Sequence, residues 1–579
     1  MTASNTAYRV TPLNIPFDVT LTMPGSKSHA NRAIIAACLS NGNTIISNAT
    51  PCDDVDLLVG NLQKMGFDIR YTDRASGELS INGGIPNRPS TKRITLNCGN
   101  TGTALRFLTS LACIMPGKFT ITGNEVMRSR PIGDLVDALQ ELGADISCID
   151  GCPPINIGNG TIAKGITHLD ASKSSQFLTS LLLIAPVAPK GLKIHLLDKI
   201  PSASYIDLTS KTLRDFGVSI NLNKMVTSVS SSQSYTYPKK YKIEGDWSAA
   251  GSFLVLADLT NSRARFTNLS NDSSQGDRIM PEVLKRMQCK GNLTIDCTDF
   301  PDQVMNLAVR AAFRNGETKL SGAANLRHKE CNRLAVLVAE LSKTGINIKE
   351  HKDGVVVRGP TKLKGALLDP HDDHRMAFCF AILGSVHKGI QIKNPGCVSK
   401  SYPDFFKDLK ELHVSPKCIS IIGMRGCGKS TLARALAKKL SLKHMDTDDL
   451  IEKKNGKISD IVMKHGWKTF RKKEEIAVQQ SIKPGYVVSL GGGAIETKST
   501  CVLLEKYAIV VHLKESATVI IQRLRNKKRP PLTDLPIEQE VRTVMKKRNP
   551  VYEKLADTTT NSPSDVSELI DSIHRLCSL

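Results

Sequence analysis

The phrase LQKMGFDI (62–69) returns as LQELGADI (139–146), LRDFGVSI (213–220) and LSKTGINI (341–348). Each copy reads L-x-x-x-G-x-x-I. That pattern predicts the last turn of an amphipathic helix, a glycine in the left-handed conformation that ends it, and a strand after it. One helix–glycine–strand junction is common and decides no fold. Two degenerate copies, LKRMQCK from Leu284 and LKELHV from Leu409, extend the series. Its central positions become 66, 143, 217, 288, 345 and 413, at spacings of 77, 74, 71, 57 and 68 residues. Six copies at near-regular spacing predict a repeated α/β unit of roughly 70 residues filling the first 412 positions.

The series stops at HVSPK (413–417), a joint too short to be a long flexible tether, so the parts on either side are expected to touch. CISIIGMRGCGKSTLARALAKKL (418–440) then reads as strand, glycine loop and helix, with G-x-x-x-x-G-K-S at 423–430. This is the context in which backbone N–H groups cradle phosphates at a helix N-terminus. Gly426, Cys427, Gly428, Lys429, Ser430 and Thr431 are expected around ATP, with Lys429 neutralising the outer phosphates and Ser430 holding Mg²⁺. MDTDDLIE (445–452) falls where a second strand should end, which puts Asp446 and Asp448 on one side of it. One of the two acids would assist the metal and the other would take a substrate hydroxyl. The competing reading is a plain helix N-cap.

Before the joint, basic residues collect at turns into predicted helices: MPGSKSHANRA (23–33), NCGNTGTALRFL (97–108), RSRPIGDLVDAL (128–139), ASKSSQFL (171–178), NLRHKECNRL (325–334), DPHDDHRMAF (369–378) and VSKSYPDFF (398–406). Helix N-termini joined to Lys and Arg suit a heavily anionic substrate set. HDDH (371–374) could be read as a metal cluster, but no second ligand spacing supports that.

Bulk properties narrow the class. Apolar content of 40% and charged content of 23% fit a globular chain of two to four domains. No apolar run reaches bilayer length, and MTASNTAYRV lacks a signal pattern, so a cytoplasmic location is expected. The fifteen cysteines include no C-x-x-C pair, which points to reduced thiols rather than a disulfide frame or a zinc site. The net charge of +23 invites a nucleic-acid reading, but there is no basic tail and aromatics make up only 5%. Small anionic substrates are favoured, with no nucleic-acid or membrane partner.

Taken together, the rear segments resemble shikimate kinase: GMRGCGKS (423–430), DTD (446–448), FRKKE (470–474), GGGA (491–494), RPPL (529–532) and RNPVYEKLAD (548–557). Gluconate and adenylate kinases share the phosphate loop but not GGGA combined with FRxxE. The resemblance implies that Asp448, Arg471, Gly491, Gly492, Gly493 and Arg548 bind shikimate, Asp448 also acting as base. It further implies Arg529 in a lid over ATP, and Mg²⁺ held by Ser430 and Asp446.

The front segments resemble 5-enolpyruvylshikimate-3-phosphate (EPSP) synthase over about residues 8–410. That family is a two-lobed, inside-out α/β barrel of six βαββαβ units, which agrees with the repeat. The expected layout is a synthase domain over 1–412, with one lobe of about 1–20 plus 245–412 and the other of about 21–244. A parallel-sheet kinase domain would follow over 418–579. Shikimate 3-phosphate would meet Lys27, Ser28, Arg32, Ser174, Ser175, Gln176, Ser202, Asp302, Asn325 and Lys329. Phosphoenolpyruvate would meet Lys27, Asn100, Gly102, Arg130, Gln176, Arg333, Arg375 and Lys400. Asp302 would orient or deprotonate the attacking hydroxyl, Glu330 would handle the proton at the methylene carbon, and Lys27 and His374 complete the catalytic set. No metal is implied for this half.

The sister transferase acting on UDP-N-acetylglucosamine carries a cysteine on its mobile loop, and PGKFTITGNEVMRSRP (116–131) has none. Two departures stand out. Cys331 and Asn332 replace the family's Ser/Thr-Asp before Arg333, which predicts a lost partner for that arginine, and Phe107 stands where many members carry proline. The remaining alternative is an inactive scaffold, against which stand intact Lys429, Asp448, Asp302, Glu330 and Arg130.

Overall fold

The computed structural model describes residues 7–13, 17–87, 92–159, 162–223, 225–414, 418–440, 442–525, 531–561 and 566–577. The joint at 415–417 and Arg529 lie outside the described residues. The chain divides into two compact units. One comprises 1–12, 20–259 and 264–406, and the other 13–19, 260–263 and 407–579.

In the first unit, the repeated phrase closes helices by one device. The helices Asp53–Lys64, Gly133–Glu141, Ser204–Asp215 and Arg333–Lys343 each end two residues before the glycine of their phrase. Gly66, Gly143, Gly217 and Gly345 all sit at positive φ, from +80° to +98°. At Gly66 the Phe67 amide donates to the Leu62 carbonyl (3.1 Å) and the Gly66 amide to that of Gln63 (3.0 Å). These paired bonds satisfy two carbonyls that would otherwise be orphaned at the helix end. Leu139–Ala144 and Leu213–Val218 repeat the pattern. The leucine of the phrase is therefore the residue whose carbonyl is captured, and it is fully buried in each of the four copies. The degenerate copies differ. Gln288 has no left-handed φ, and the helix Phe405–Val414 is followed by the strand Cys418–Ile422, which belongs to the second unit's sheet.

Six sheets answer the six repeats, four of them four-stranded. The order Lys240–Lys242, Asn43–Ser47, Glu78–Asn82, Asp68–Asp73 has one parallel pair followed by two antiparallel pairs. The sheets built on Phe119–Thr122, Leu192–Leu196 and Gly316–Ser321 repeat it. The other two copies are reduced to a three-stranded sheet and a two-stranded ribbon. The helices Lys27–Leu39, Gly102–Ala112 and Ser175–Ile184 are buried almost all round and pack on one another, with sheets outside them. Trp247–Leu259, Val304–Ala311 and His374–Val386 form a second such trio. This is the inside-out arrangement expected of the front part. The chain passes between the two sets of sheets at Gly25 and Gly245, which form an antiparallel bridge.

The second unit has one five-stranded sheet, in the order Lys443–Asp446, Tyr486–Ser489, Cys418–Ile422, Ala508–Leu513, Thr558–Thr560. Every pair is parallel. The first strand in sequence is central and buried on both faces, as apolar CISII requires. Its glycine loop therefore emerges where the strand order reverses, the usual place for a ligand in such sheets. No described helix is long and apolar enough to cross a membrane.

Two candidate active sites

The N-terminal ends of the buried helices in the first unit converge on one cavity. Lys27, Ser28 and Arg32 come from the first helix; Gly102 and Arg106 from the second; Ser174, Ser175 and Gln176 from the third. Arg130, Ser202, Asp302, Asn325, Lys329, Glu330, Arg333 and His374 complete the expected lining. Asn100 and Lys400 line an adjacent hollow. Arg375 reaches the first cavity through Asp302 Oδ2, 3.3 Å away.

Arg333 organises the centre. Its Nε lies 2.7 Å from Asp373 Oδ2, Nη1 2.8 Å from Asp302 Oδ1 and Nη2 2.8 Å from Glu330 Oε2. Lys400 Nζ lies 3.5 Å from Glu330 Oε1 and 3.2 Å from Asp54 Oδ1, while Lys27 Nζ meets Asp54 Oδ2 at 2.6 Å. Burial alone would raise the acids. Against it, Arg333, Lys400 and Arg130 hold Glu330 well below the usual carboxylate range, and Arg375, Lys329 and Arg333 do the same for Asp302. Burial, with Lys27 and Arg375 beside it, keeps His374 neutral, and burial lowers Lys329.

Several buried polar atoms here have no hydrogen-bond partner among the described residues: Nε and Nη1 of Arg130, Nε of Arg106 and Arg375, Oδ1 of Asn100 and Asn325, and both ring nitrogens of His374. Buried donors and acceptors are costly to leave unpaired, and so many around one cavity mark a binding site for a polar ligand. Gly102 makes room for them. A Cβ there would stand 2.5 Å from Arg106 Nη1 and 2.9 Å from both terminal nitrogens of Arg130.

The loss predicted from Asn332 does not occur. Asn332 caps the helix Arg333–Lys343, accepting from the Ala335 amide at 3.3 Å, a task asparagine performs as well as aspartate. Arg333 instead takes Asp373, from DPHDDHR, in addition to Asp302 and Glu330. Arg106 is expected only as one of the basic residues at helix starts and Asp373 only as part of HDDH, and Asp54 has no expected role. Asp54 lies in CDDVDL, which as sequence reads only as acids in a helix's first turn. Phe107 is buried under Arg32, whose guanidinium carbon is 5.6 Å from the ring centre.

In the second unit the loop glycines Gly423, Gly426 and Gly428 take φ of +144°, +83° and +109°. Lys429 Nζ folds onto the carbonyls of Gly423 (3.0 Å) and Met424 (2.9 Å). Cys427 is buried and Thr431 exposed. Ser430 Oγ and Ser489 Oγ each donate to Asp446 Oδ2 at 2.6 Å, which with the local amides keeps Asp446 ionised despite burial. One expectation fails. Asp448 is not on the strand but in the first turn of the helix Thr447–Asn455, and Asp446 is its N-cap, accepting from the Asp448 amide at 2.9 Å. The two acids therefore separate: Asp446 turns to Ser430, and Asp448 lines a cavity of about 460 Å³ with Arg425, Arg471, Gly491, Gly492, Gly493 and Arg548.

The glycine strip is shaped by its neighbours. A Cβ on Gly493 would stand 2.0 Å from Arg471 Nη2, and one on Gly491 would stand 2.2 Å from Glu474 Oε1. Glu474, three residues on from Arg471 and 2.5 Å from its Nη1, is a site residue given no role by the sequence reading. A Cβ at either glycine, Gly491 or Gly493, would push the neighbouring side chain aside.

A family model described as EPSP synthase (3-phosphoshikimate 1-carboxyvinyltransferase) matches residues 15–409. The chain belongs to the EPSP synthase family. A second model, shikimate kinase, matches 425–577, so the EPSP synthase domain is fused to a shikimate kinase domain. The enzyme named 3-phosphoshikimate 1-carboxyvinyltransferase from Aliivibrio salmonicida is 35% identical over 416 residues, covering 69% of this chain and 97% of its own. That of Shewanella amazonensis is 36% identical over 408 residues, covering 67% and 95%. The solved EPSP synthase of Acinetobacter baumannii shares the fold with a TM-score of 0.59 at 24% identity, covering 70% of this chain and 98% of its own. The EPSP synthase and kinase domains join two activities of the shikimate pathway to aromatic amino acids in one polypeptide.

Proposed function

We propose that the domain of residues 418–579 phosphorylates shikimate with ATP, and that the domain of 1–412, with lobes of about 1–20 plus 245–412 and about 21–244, transfers the enolpyruvyl group of phosphoenolpyruvate to the 5-hydroxyl of that product. The observation that carries the synthase reading is the sharing of Arg333 among Asp302, Glu330 and Asp373. Of the cations that suppress the two catalytic carboxylates, Arg130, Arg333, Arg375 and Lys400 are the ones assigned to phosphoenolpyruvate, and Lys329 is assigned to shikimate 3-phosphate. When the trianion takes Arg130, Arg333, Arg375 and Lys400, Asp302 and Glu330 lose their partners and regain basicity. Asp302 then accepts the proton of the 5-hydroxyl as its oxygen attacks C2, and later passes it to the departing phosphate. Glu330, protonated from solvent once its cations are taken, delivers that proton to C3. The intermediate ketal expels phosphate, and the methyl group returns a proton to Glu330. Lys27 and neutral His374 stabilise the charge that develops. Ser28, Arg32, Ser174, Ser175, Gln176, Ser202, Asn325 and Lys329 hold shikimate 3-phosphate.

In the kinase, loop residues 426–431 and Arg529 hold ATP. Arg471 and Arg548 take the carboxylate of shikimate, and Asp448 takes the hydroxyl that attacks. The paired oxygens of Ser430 and Asp446 fit Mg²⁺, a hard cation that needs few protein ligands. When bound, it neutralises charge on the nucleotide phosphates. The described cysteines are free, which supports a cytoplasmic enzyme.

Addition followed by elimination passes through a methyl group, so turnover in D₂O should place deuterium in the product methylene. Mass spectrometry of the product from shikimate 3-phosphate and phosphoenolpyruvate tests this. Product free of deuterium at full turnover would rule out the sequence above.

A further inference from the structure

Two arginines of the shikimate cavity share a single oxygen of a residue outside it. Arg471 Nη2 lies 3.1 Å and Arg548 Nη2 3.2 Å from Glu496 Oε2, while Lys547 Nζ holds Oε1 at 3.0 Å. Glu496 ends the 3₁₀ turn Ala494–Glu496, directly after the glycine strip. Both arginines line the cavity, and Glu496 and Lys547 do not. Arg548 is 4% exposed, and its Nε has no hydrogen-bond partner among the described residues.

Two guanidinium groups meeting in a buried site repel each other unless an anion joins them. Glu474 pairs with Arg471, 2.5 Å from its Nη1, and among the described residues is within ion-pair distance of no atom of Arg548. Glu496 touches both. It binds one terminal nitrogen of each arginine, and Arg548 Nε is left without a hydrogen-bond partner among the described residues. Burial would raise its pKa, but Arg548, Lys547 and Arg471 keep it ionised.

We propose that Glu496 is a positioning residue for shikimate. It clamps Arg471 and Arg548 together from behind so that the pair meets the substrate carboxylate ready-made. This rests on the assignment of those arginines to the carboxylate. Without the clamp the two cations separate and recognition of the carboxylate weakens, while the phosphate loop and Asp448 are untouched. Preorganisation of this kind acts on affinity more than on turnover.

The test is steady-state kinase kinetics on the full chain with Glu496→Gln, Arg471→Lys and Arg548→Lys, using shikimate and its methyl ester. Glu496→Gln is expected to raise the KM for shikimate about tenfold with a much smaller change in kcat. The KM for the uncharged ester should stay near that of the unmodified enzyme. A general structural role would raise both KM values together and would overturn the proposal, as would a fall in the shikimate KM, which would make Glu496 a competitor. If the arginine variants raise the shikimate KM and Glu496→Gln does not, the clamp fails alone. If the arginine variants leave it unchanged, the carboxylate assignment itself fails.

Discussion

Glu330→Gln is expected to slow phosphate release from shikimate 3-phosphate and phosphoenolpyruvate by about 10²–10⁴-fold, the usual worth of a general acid–base group. The substitution is nearly isosteric and keeps an oxygen toward Arg333 Nη2, now 2.8 Å from Oε2, so the cavity should hold its shape. What it removes is the proton that C3 of phosphoenolpyruvate must receive and later return. The loss should therefore fall on kcat, with the KM for phosphoenolpyruvate little affected. ADP release from shikimate and ATP should be unchanged, because Glu330 belongs to the first unit. A variant with normal kcat and a raised KM would reduce Glu330 to a support for Arg333.

The second large effect belongs to the kinase. Lys429→Ala should lower ADP release about 10²–10³-fold, comparable to removing one preorganised electrostatic contact to a transition state. The lysine is almost fully buried and held by two loop carbonyls, a resting position from which its ammonium group can turn to phosphates. The loop itself is set by its glycines and by the helix that begins at Lys429, so the variant should fold. Phosphate release should survive when shikimate 3-phosphate is supplied and vanish when only shikimate and ATP are supplied. A kinase rate within twofold of the parent would remove Lys429 from catalysis.

The repeat was legible because its physics is local. A helix end that needs a left-handed residue selects glycine, and capture of the leucine carbonyl fixes the spacing between them. The reduced sheets were not legible, because strand loss at Leu284 and Leu409 leaves the helix pattern intact. The cationic part of the site was readable from Lys and Arg at helix starts. Its anionic frame was not. Asp54 and Asp373 look like ordinary acids near helix N-termini, and only folding brings Asp54 to Lys27 and Lys400, or Asp373 to Arg333. Asp448 shows the converse limit: the strand ended two residues earlier than the alternation of DTD implied, and a cap took its place. Asn332, a departure from the family by sequence, caps the helix that Arg333 begins.

The most direct measurement follows ADP and inorganic phosphate separately in one reaction of the full chain with shikimate, ATP, Mg²⁺ and phosphoenolpyruvate. Two consecutive enzymes in one polypeptide predict that both are released, with phosphate requiring shikimate and ATP as well as phosphoenolpyruvate. ADP without phosphate would leave a kinase joined to an inactive synthase, and the account of Arg333, Asp302 and Glu330 would be wrong.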